Sequence, residues 1–251
     1  MNLDNIMAWS SLIDKENLSK EVELQNPFSG SLFYGENSKV SYILMGPWHS
    51  GSYIFSPMKR KIQKLGLAYV QYNLIPDILS PDVNATRSYF EIVSQNVRKD
   101  LEKLNKENGI ERFVMVGLSL SCVFAMMISN NNKLISDIIL VAPGNSLAES
   151  FWSSLRTIRV KRVMKKSGIT LKYLKRYWLE LAPEHYVDGV KDKKIKIILG
   201  RKDLIIPFRF GKKLAREIKQ HIPSAEIIQN KSLGHYGTII SFLLSNKYLH
   251  L

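Results

Sequence analysis

Ser119 stands in a sequence context that is typical of a serine nucleophile. It lies within residues 116–121 (VGLSLS), directly after a strand-like apolar run and at the start of a helix-like one. A tight turn between strand and helix lifts a serine side chain above a sheet, and this turn requires small residues two positions before and after the serine. Gly117 provides the first small residue, and Ser121 replaces the second glycine that is usual there. The pattern predicts a nucleophile elbow at Ser119.

A serine hydroxyl needs a base to remove its proton, and the base needs a carboxylate to orient it. His235 is the preferred base because it lies in a glycine-flanked loop after the last predicted strand. Asp203 is the preferred carboxylate because it follows the strand-like run that ends at Gly200. The chain has four further histidines: His49, His185, His221 and His250. Weaker carboxylate candidates are Asp77, Asp82 and Asp137.

A parallel β-sheet with crossover helices would bring Ser119, Asp203 and His235 together. Six short runs rich in valine, isoleucine, leucine and tyrosine predict its strands: residues 39–46, 67–72, 112–117, 137–142, 194–200 and 225–229. The runs are nearly continuous rather than alternating, as expected for strands that are covered on both faces. Stretches of helical period predict helices over residues 54–65, 85–107, 120–129, 208–221 and 235–247. We therefore predict an α/β fold with a mostly parallel, doubly wound sheet and helices on both faces.

This topology places the three residues at one edge of the sheet. Each of them follows the carboxyl end of a predicted strand, which is where open α/β sheets place their sites. We therefore expect the three side chains to meet there. Ahead of these strands, an NPFSG turn signal separates residues 21–24 from residues 31–34, which predicts a further strand or hairpin.

The longest connection of the predicted sheet separates Ala142 from Lys194 by about fifty residues. This length greatly exceeds that of a usual link between strand and helix, and the segment has helical patterns of its own. We therefore expect a helical cap at residues 143–192, inserted into a core of residues 1–142 and 193–251. A part of this cap, residues 151–176, contains nine lysines and arginines and no aspartate or glutamate.

The chain as a whole is strongly basic, with 36 lysines and arginines against 22 aspartates and glutamates and a net charge of +14. Such an excess attracts polyanions, although a generally lysine-rich protein would show it as well. The partners considered for the basic cap are an anionic lipid surface and a phosphorylated substrate. Nucleic acid is disfavoured because no recognition motif accompanies the charge. The candidate substrate-binding residues are His49, Trp152, Arg159 and Arg162.

Cys122 is the only cysteine of the chain, which excludes an intramolecular disulfide and a metal site built from cysteines. We expect it to be a small buried residue rather than a reactive thiol. No apolar stretch approaches the roughly 18–20 residues that span a bilayer. The first residues carry Asp4 and lack the apolar core of a secretory signal, so a cytoplasmic location is expected.

The sequence resembles the α/β-hydrolase fold family in two features, the elbow at Ser119 and the chain order Ser119, Asp203, His235. The resemblance covers residues 39–142 and 194–251. It implies that Ser119 is the nucleophile, His235 the general base and acid, and Asp203 the group that orients His235. It also implies an oxyanion hole from the backbone N–H of Leu120 and a second N–H after the first strand. The implied activity is hydrolysis of a carboxylic ester or thioester through an acyl-enzyme, without a metal or organic cofactor.

The loop after the first strand departs from the pattern of that family. It reads MGPWHSG over residues 45–51, with Met45 where many relatives have a histidine. Pro47 occupies the position that commonly supplies the second oxyanion donor, and proline has no N–H. We hypothesise that the N–H of Trp48 is the second donor. The alternatives are a donor from His49 and a hole with a single backbone donor.

Two further functions are compatible with the sequence. An acyl-CoA-type thioesterase would use the same three residues and bind the phosphates of its carrier on the basic cap. A non-catalytic α/β-hydrolase relative would act as a binding module or attach to a membrane surface. Membership of a fold family does not fix the substrate, and the sequence predicts no oligomeric state.

Overall fold

The computed structural model of the chain describes residues 32–33, 38–48, 52–75, 78–245 and 247. Its seven strands are β1 (Leu32–Phe33), β2 (Val40–Met45), β3 (Ala68–Tyr72), β4 (Arg112–Leu118), β5 (Ile135–Val141), β6 (Lys194–Gly200) and β7 (Glu226–Asn230). They form one sheet in the order β1-β3-β2-β4-β5-β6-β7. Every neighbouring pair is parallel except β1 and β3, which are antiparallel. The prediction of a mostly parallel α/β sheet is confirmed.

Successive side chains of the central strands alternate between two hydrophobic cores, one on each face of the sheet. In β2, Ile43 and Met45 belong to the larger core, whereas Tyr42 and Leu44 belong to the smaller one. All four side chains are almost completely buried. Because both faces are covered, the strand is buried from Ser41 to Met45, which explains its largely apolar sequence.

The described residues form eight α-helices. They are α1 (Ser56–Lys64), α2 (Val83–Asn108), α3 (Ser121–Ser129), α4 (Leu147–Ser153), α5 (Ile158–Lys166), α6 (Leu171–Tyr177), α7 (Phe208–His221) and α8 (His235–Leu244). Short 3-10 segments lie at Ser52–Phe55, Leu179–Leu181, Pro183–Tyr186 and Asp188–Val190. The ends of the predicted helices agree with the structure to within three residues. None of the helices in the described part of the chain is both long and apolar enough to cross a membrane.

The longest helix, α2, begins and ends at residues with clear physical roles. The side chain of Asp82 accepts hydrogen bonds from the backbone N–H groups of Asn84 (2.8 Å) and Ala85 (3.4 Å). Gly109 ends the helix in the left-handed conformation, with φ of 66°. The helix starts two residues before the periodic apolar pattern because the Asp82 cap satisfies N–H groups of its first turn, where Val83 already packs into the larger core.

The segment predicted at residues 31–34 is present as the two-residue strand β1, which pairs with β3. Its predicted partner at residues 21–24 lies outside the described residues. β1 is the only antiparallel strand among the described residues, and it lies at the edge of the sheet. This position keeps it away from the carboxyl ends of the central strands.

The long connection between β5 and β6 is helical, and it contains α4, α5 and α6. Trp178 follows α6 and is completely buried, with its ring packed edge-to-face on Phe151 at 5.5 Å between centroids. The indole N–H of Trp178 donates to the carbonyl oxygen of Val83 at 3.0 Å, which joins the segment to the first residue of α2. The division of the chain into a core and a cap stays a prediction.

Candidate active site

The turn between β4 and α3 places Ser119 in a strained backbone conformation. Its φ is 58°, a region that non-glycine residues rarely adopt. The backbone N–H of Ser119 donates to the carbonyl oxygen of Val141 at 2.8 Å, so the sheet holds this residue from its neighbouring strand. A β-carbon at Gly117 would lie 2.8 Å from the backbone oxygen of Ser121 and 2.9 Å from the β-carbon of Ala125. Only glycine therefore allows α3 to pass this close to β4.

Ser121 does more than satisfy the need for a small residue. Its side chain is completely buried, and its hydroxyl donates a hydrogen bond to the carbonyl oxygen of Gly46. A glycine at this position would also fit but could not make that bond. The hydroxyl thus joins the elbow to the loop that follows β2. Residue size was the only signal in the sequence, and it did not indicate the partner.

Ser119, His235 and Asp203 lie in one row of hydrogen bonds. The Nε2 atom of His235 is 2.8 Å from the Oγ atom of Ser119, and its Nδ1 atom is 2.6 Å from the Oδ2 atom of Asp203. Ser119 follows β4, Asp203 follows β6, and His235 begins α8 after β7. The histidine and the aspartate are each 5% exposed. The parallel strands thus bring together side chains that are up to 116 positions apart in the sequence.

Backbone N–H groups bind one carboxyl oxygen of Asp203 and so orient the other toward His235. Its Oδ1 atom accepts hydrogen bonds from the N–H groups of Ile205 and Ile206, each at 2.9 Å. Only Oδ2 is then directed at His235, so the Nδ1 atom of the ring donates to it. The Nε2 atom is left as an acceptor for the hydroxyl of Ser119. This is the arrangement in which a histidine can remove a proton from a serine.

A cavity of about 60 Å³ opens beside Ser119 and His235. The connection between β5 and β6 supplies much of its lining, through Leu147, Ser150, Phe151, Ser154, Arg156 and Thr157. The hydroxyl of Ser150 is buried and has no hydrogen-bond partner among the described residues. The site is therefore a small, largely apolar space with a few polar groups and a single arginine among its described lining residues.

The candidate substrate-binding residues do not gather at this cavity. Arg159 and Arg162 are exposed on α5, because Val160 and Met164 of the same helix face the core. Trp152 packs against the core with the Lys165 ammonium 5.5 Å from its ring centroid. These three residues are absent from the described lining of the cavity. His49 lies outside the described residues.

The arginine that does line the cavity is Arg156, which sequence reasoning missed. It lies in the loop between α4 and α5, three residues before the predicted Arg159. Nine basic residues occur between positions 151 and 176, and nothing in their spacing singles out one of them. The choice depends on how the loop leaves α4, which is a property of the tertiary structure.

Both predicted oxyanion donors border the cavity. Leu120 follows Ser119 at the N-terminus of α3, where a helix has N–H groups without partners inside the helix. Pro47 and Trp48 line the cavity from the loop after β2. Pro47 brings no N–H to this site, so the assignment of Trp48 as the second donor stays a prediction.

In the part of the chain that the structure describes, the other groups that could do chemistry do not form a metal site or expose a reactive thiol. Cys122 is completely buried, and burial raises the pKa of its thiol well above the usual range. Its sulfur lies 3.2 Å from the carbonyl oxygen of Gly117. Among the described residues, no three histidine, cysteine, aspartate or glutamate side chains are grouped as metal ligands would be.

Comparison with known proteins identifies the fold of this chain. A scan against protein-family models finds no match, and a search of curated proteins finds no significant match. An esterase of Pyrococcus furiosus is similar in structure, with a TM-score of 0.58 and 13% sequence identity over 88% of each chain. The protein TT1662 of Thermus thermophilus has a TM-score of 0.61 and 14% identity, over 85% of this chain and 88% of its own.

Carboxyl esterase 2 of the fungus Tuber melanosporum is similar as well. Its TM-score is 0.56 and its identity 14%, over 84% of this chain and 75% of its own. At these identities the likeness concerns the fold, not the activity. Together with the sheet order and the turn at Ser119, these similarities show that the chain has the α/β-hydrolase fold.

Proposed function

We propose that the chain is a serine hydrolase that cleaves a carboxylic ester or thioester through an acyl-enzyme on Ser119. The observation that carries this proposal is the unbroken row of hydrogen bonds from Asp203 through His235 to the Ser119 hydroxyl. The strained turn and the adjoining helix N-terminus add support, because acyl-transfer sites use both features. A binding module without catalytic activity would need no such row, which weighs against that alternative.

In the first half of the reaction, the Oγ atom of Ser119 attacks the substrate carbonyl as His235 Nε2 removes its proton. The negative oxygen of the tetrahedral intermediate accepts hydrogen bonds from the N–H of Leu120 and, in our proposal, from that of Trp48. The intermediate then expels the alcohol or thiol, which takes the proton from His235. The acyl group is left as an ester on Ser119.

In the second half, water replaces the leaving group beside His235. The histidine removes a proton from this water, whose oxygen attacks the acyl-enzyme carbonyl. The second tetrahedral intermediate releases the carboxylic acid, and Ser119 regains its proton from His235. Asp203 stabilises the imidazolium in both halves. Neither half requires a metal or an organic cofactor.

The structural relatives support an ester as the bond that is cleaved. The Pyrococcus furiosus protein is described as an esterase, and the Tuber melanosporum protein as a carboxyl esterase. The cavity beside Ser119 is small and largely apolar, which favours a short acyl group over a long chain. The substrate is therefore proposed to be a small-molecule ester with a short acyl group.

The outward face of α5 carries arginines that favour a second candidate leaving group, a thiol that bears phosphates. Arg159 and Arg162 are exposed there, close in sequence to the loop that lines the cavity. Guanidinium groups bind phosphates well, so they suit the phosphates of a coenzyme A thioester or of an anionic lipid surface. The rates of hydrolysis of acetyl-CoA and of the phosphate-free thioester S-acetyl-N-acetylcysteamine show whether the enzyme uses those phosphates to bind a thioester.

The proposed function is tested by replacing the nucleophile. Ser119→Ala removes the attacking oxygen, so kcat for hydrolysis of 4-nitrophenyl acetate should fall by roughly 10⁶-fold. Labelling of the protein by a fluorophosphonate probe should disappear with it. Steady-state absorbance and gel fluorescence measure the two effects.

Ser129→Ala is the matched control for this test. Ser129 is a completely buried serine at the other end of α3, far along the helix from the elbow. This variant should keep both the turnover and the labelling of the wild type. Undiminished turnover in folded Ser119→Ala, checked by circular dichroism, would remove Ser119 from the mechanism and overturn the proposal.

A further inference from the structure

We infer that the preferred ester carries an anionic group, a carboxylate or a phosphate, on its leaving alcohol, and that Arg156 binds this group. The inference rests on the proposed function and names the substrate class of the same site. Its basis is the position of one guanidinium at the mouth of the cavity. This residue is neither a hydrogen-bonding partner of the Ser119–His235–Asp203 row nor one of the predicted binding residues.

Aromatic rings and a hydrogen bond fix the guanidinium of Arg156. Its central carbon lies 5.8 Å from the ring centroid of Trp48 and 5.9 Å from that of Tyr236. Its Nη1 atom donates to the hydroxyl of Tyr236, and its backbone N–H donates to the Oγ atom of Ser154 at 3.3 Å. An arginine held by aromatic rings in this way loses less conformational freedom when it binds a ligand.

The charge of Arg156 is not neutralised within the described part of the protein. It forms no ion pair there, and the described lining of the cavity contains neither aspartate nor glutamate. The nearby Asp203 uses one carboxyl oxygen for His235 and the other for two backbone N–H groups. A guanidinium has five N–H donors, and Tyr236 accepts only one, so donors are left for an oxyanion.

The position of Arg156 relative to His235 assigns the anion to the leaving group. His235 donates a proton to the departing oxygen, so the leaving alcohol must lie on the histidine side of the site. Tyr236 adjoins this histidine, with 5.5 Å between the ring centroids, and Arg156 is bonded to Tyr236. The acyl group is left to the apolar cavity, whose walls include Leu147 and Phe151.

A pair of matched acetate esters tests the inference. 4-Acetoxybenzoate and 4-acetoxybenzamide have the same shape and acyl group, but only the first carries a negative charge. The amide has the better leaving group, so intrinsic reactivity opposes the expected preference. We expect the wild type to prefer the benzoate in kcat/KM by about tenfold, the value of one charge-assisted hydrogen bond.

Variants assign the preference to Arg156. Arg156→Gln should reduce the benzoate-to-benzamide ratio to one or slightly below, because the amide has the better leaving group. Arg156→Glu should lower the ratio further because the new charge repels the benzoate. Arg176→Gln is the matched control, since Arg176 is exposed on α6 in the same basic segment and does not line the cavity. It should keep the wild-type ratio. Circular dichroism checks that each variant is folded.

The outcomes separate this inference from the proposed function. If the wild type hydrolyses 4-nitrophenyl acetate but shows no preference for the benzoate, the inference is wrong and the hydrolase proposal stands. If the preference for the benzoate persists in Arg156→Gln, the inference is likewise wrong and the hydrolase proposal stands. If the wild type hydrolyses neither these acetate esters nor the acetyl thioesters, both proposals fail. 4-Acetoxyphenyl phosphate, assayed beside the benzoate, shows which of the two anions is bound better.

Discussion

Asp203 is held at both of its carboxyl oxygens, which makes asparagine an informative replacement. In Asp203→Asn, the amide oxygen can still accept from Ile205 and Ile206, so the amide NH₂ would face His235. The Nδ1 atom of the ring must then accept a hydrogen bond, and its proton moves to Nε2. A protonated Nε2 cannot take the proton of Ser119. We expect kcat for 4-nitrophenyl acetate to fall by about 10⁴-fold.

Stopped assays of purified Asp203→Asn would measure this loss, with Asp188→Asn as the control. Asp188 is exposed, pairs only with Lys191 among the described residues, and lies in a 3-10 segment. Its replacement should leave turnover unchanged. A loss of less than tenfold in Asp203→Asn would show that the orientation of His235 does not depend on this carboxylate.

The residue scale also shows what the sequence can and cannot predict. The row of Ser119, His235 and Asp203 was predictable, because each residue type follows a strand end and the chemistry needs all three. The hydrogen bond from Ser121 to Gly46 was not, since it joins two residues 75 positions apart. Arg156 was missed for a similar reason. Its position at the cavity depends on the direction of a loop and not on its neighbours in the sequence.

At the scale of elements, the start of α2 depends on a single side chain. Asp82→Ala removes the acceptor for the N–H groups of Asn84 and Ala85. We expect the free energy of unfolding to fall by about 1 kcal/mol, the usual value of an N-terminal cap. Urea denaturation followed by circular dichroism measures the change. Gln95→Ala, at an exposed position within the same helix, should differ from the wild type by less than half of that amount.

An equal effect of both variants would mean that the Asp82 cap does not stabilise α2. The effect should be measurable because this helix spans 26 residues and packs Tyr89, Phe90 and Val93 into the larger core. A weakened first turn should therefore lower the stability of the whole protein and not only that of the helix end.

The strands and long helices were predictable because their apolar patterns repeat over enough residues to be distinct. The segment between β5 and β6 was predictable only as helical. Its helices α4, α5 and α6 have 7, 9 and 7 residues, and 3-10 segments follow them. The residues at which such short helices begin and end are set by tertiary contacts, such as that of Trp178 with Phe151. Local sequence patterns do not contain that information.

At the scale of the whole molecule, the single cysteine reports on global unfolding. Cys122 is completely buried on α3, and burial raises the pKa of its thiol, so little reactive thiolate is present in the folded protein. We expect the thiol reagent DTNB to modify the native protein at least 100-fold more slowly than the protein in 6 M guanidinium chloride, because access requires opening of the core. Absorbance at the wavelength of the released thiolate gives both rates.

Cys122→Ser should show no modification under either condition, which identifies the reacting group. Rapid and complete modification of the native protein would contradict the burial of this residue. It would also indicate that the helix beneath Ser119 opens far more readily than its packing suggests.

The predictability of the fold as a whole has one physical origin. Parallel strands share an orientation, so their carboxyl ends lie along one edge whatever the lengths of the connections. That rule predicts Ser119, Asp203 and His235 at one edge of the sheet, where the structure joins them by hydrogen bonds. It contains nothing about the connections themselves, which is why the cavity lining between residues 147 and 157 could not be foreseen.

The hydrogen-bonded row of Ser119, His235 and Asp203 and much of the cavity wall come from separate segments of this chain. Ser119 and Asp203 follow strand ends, whereas one eleven-residue stretch from Leu147 to Thr157 supplies six of the side chains that line the cavity. Selectivity can therefore evolve independently of reactivity. A combinatorial library restricted to that stretch would vary the cavity wall and select for new substrate preferences. Ser119, Asp203, His235 and the sheet that positions them would stay unchanged.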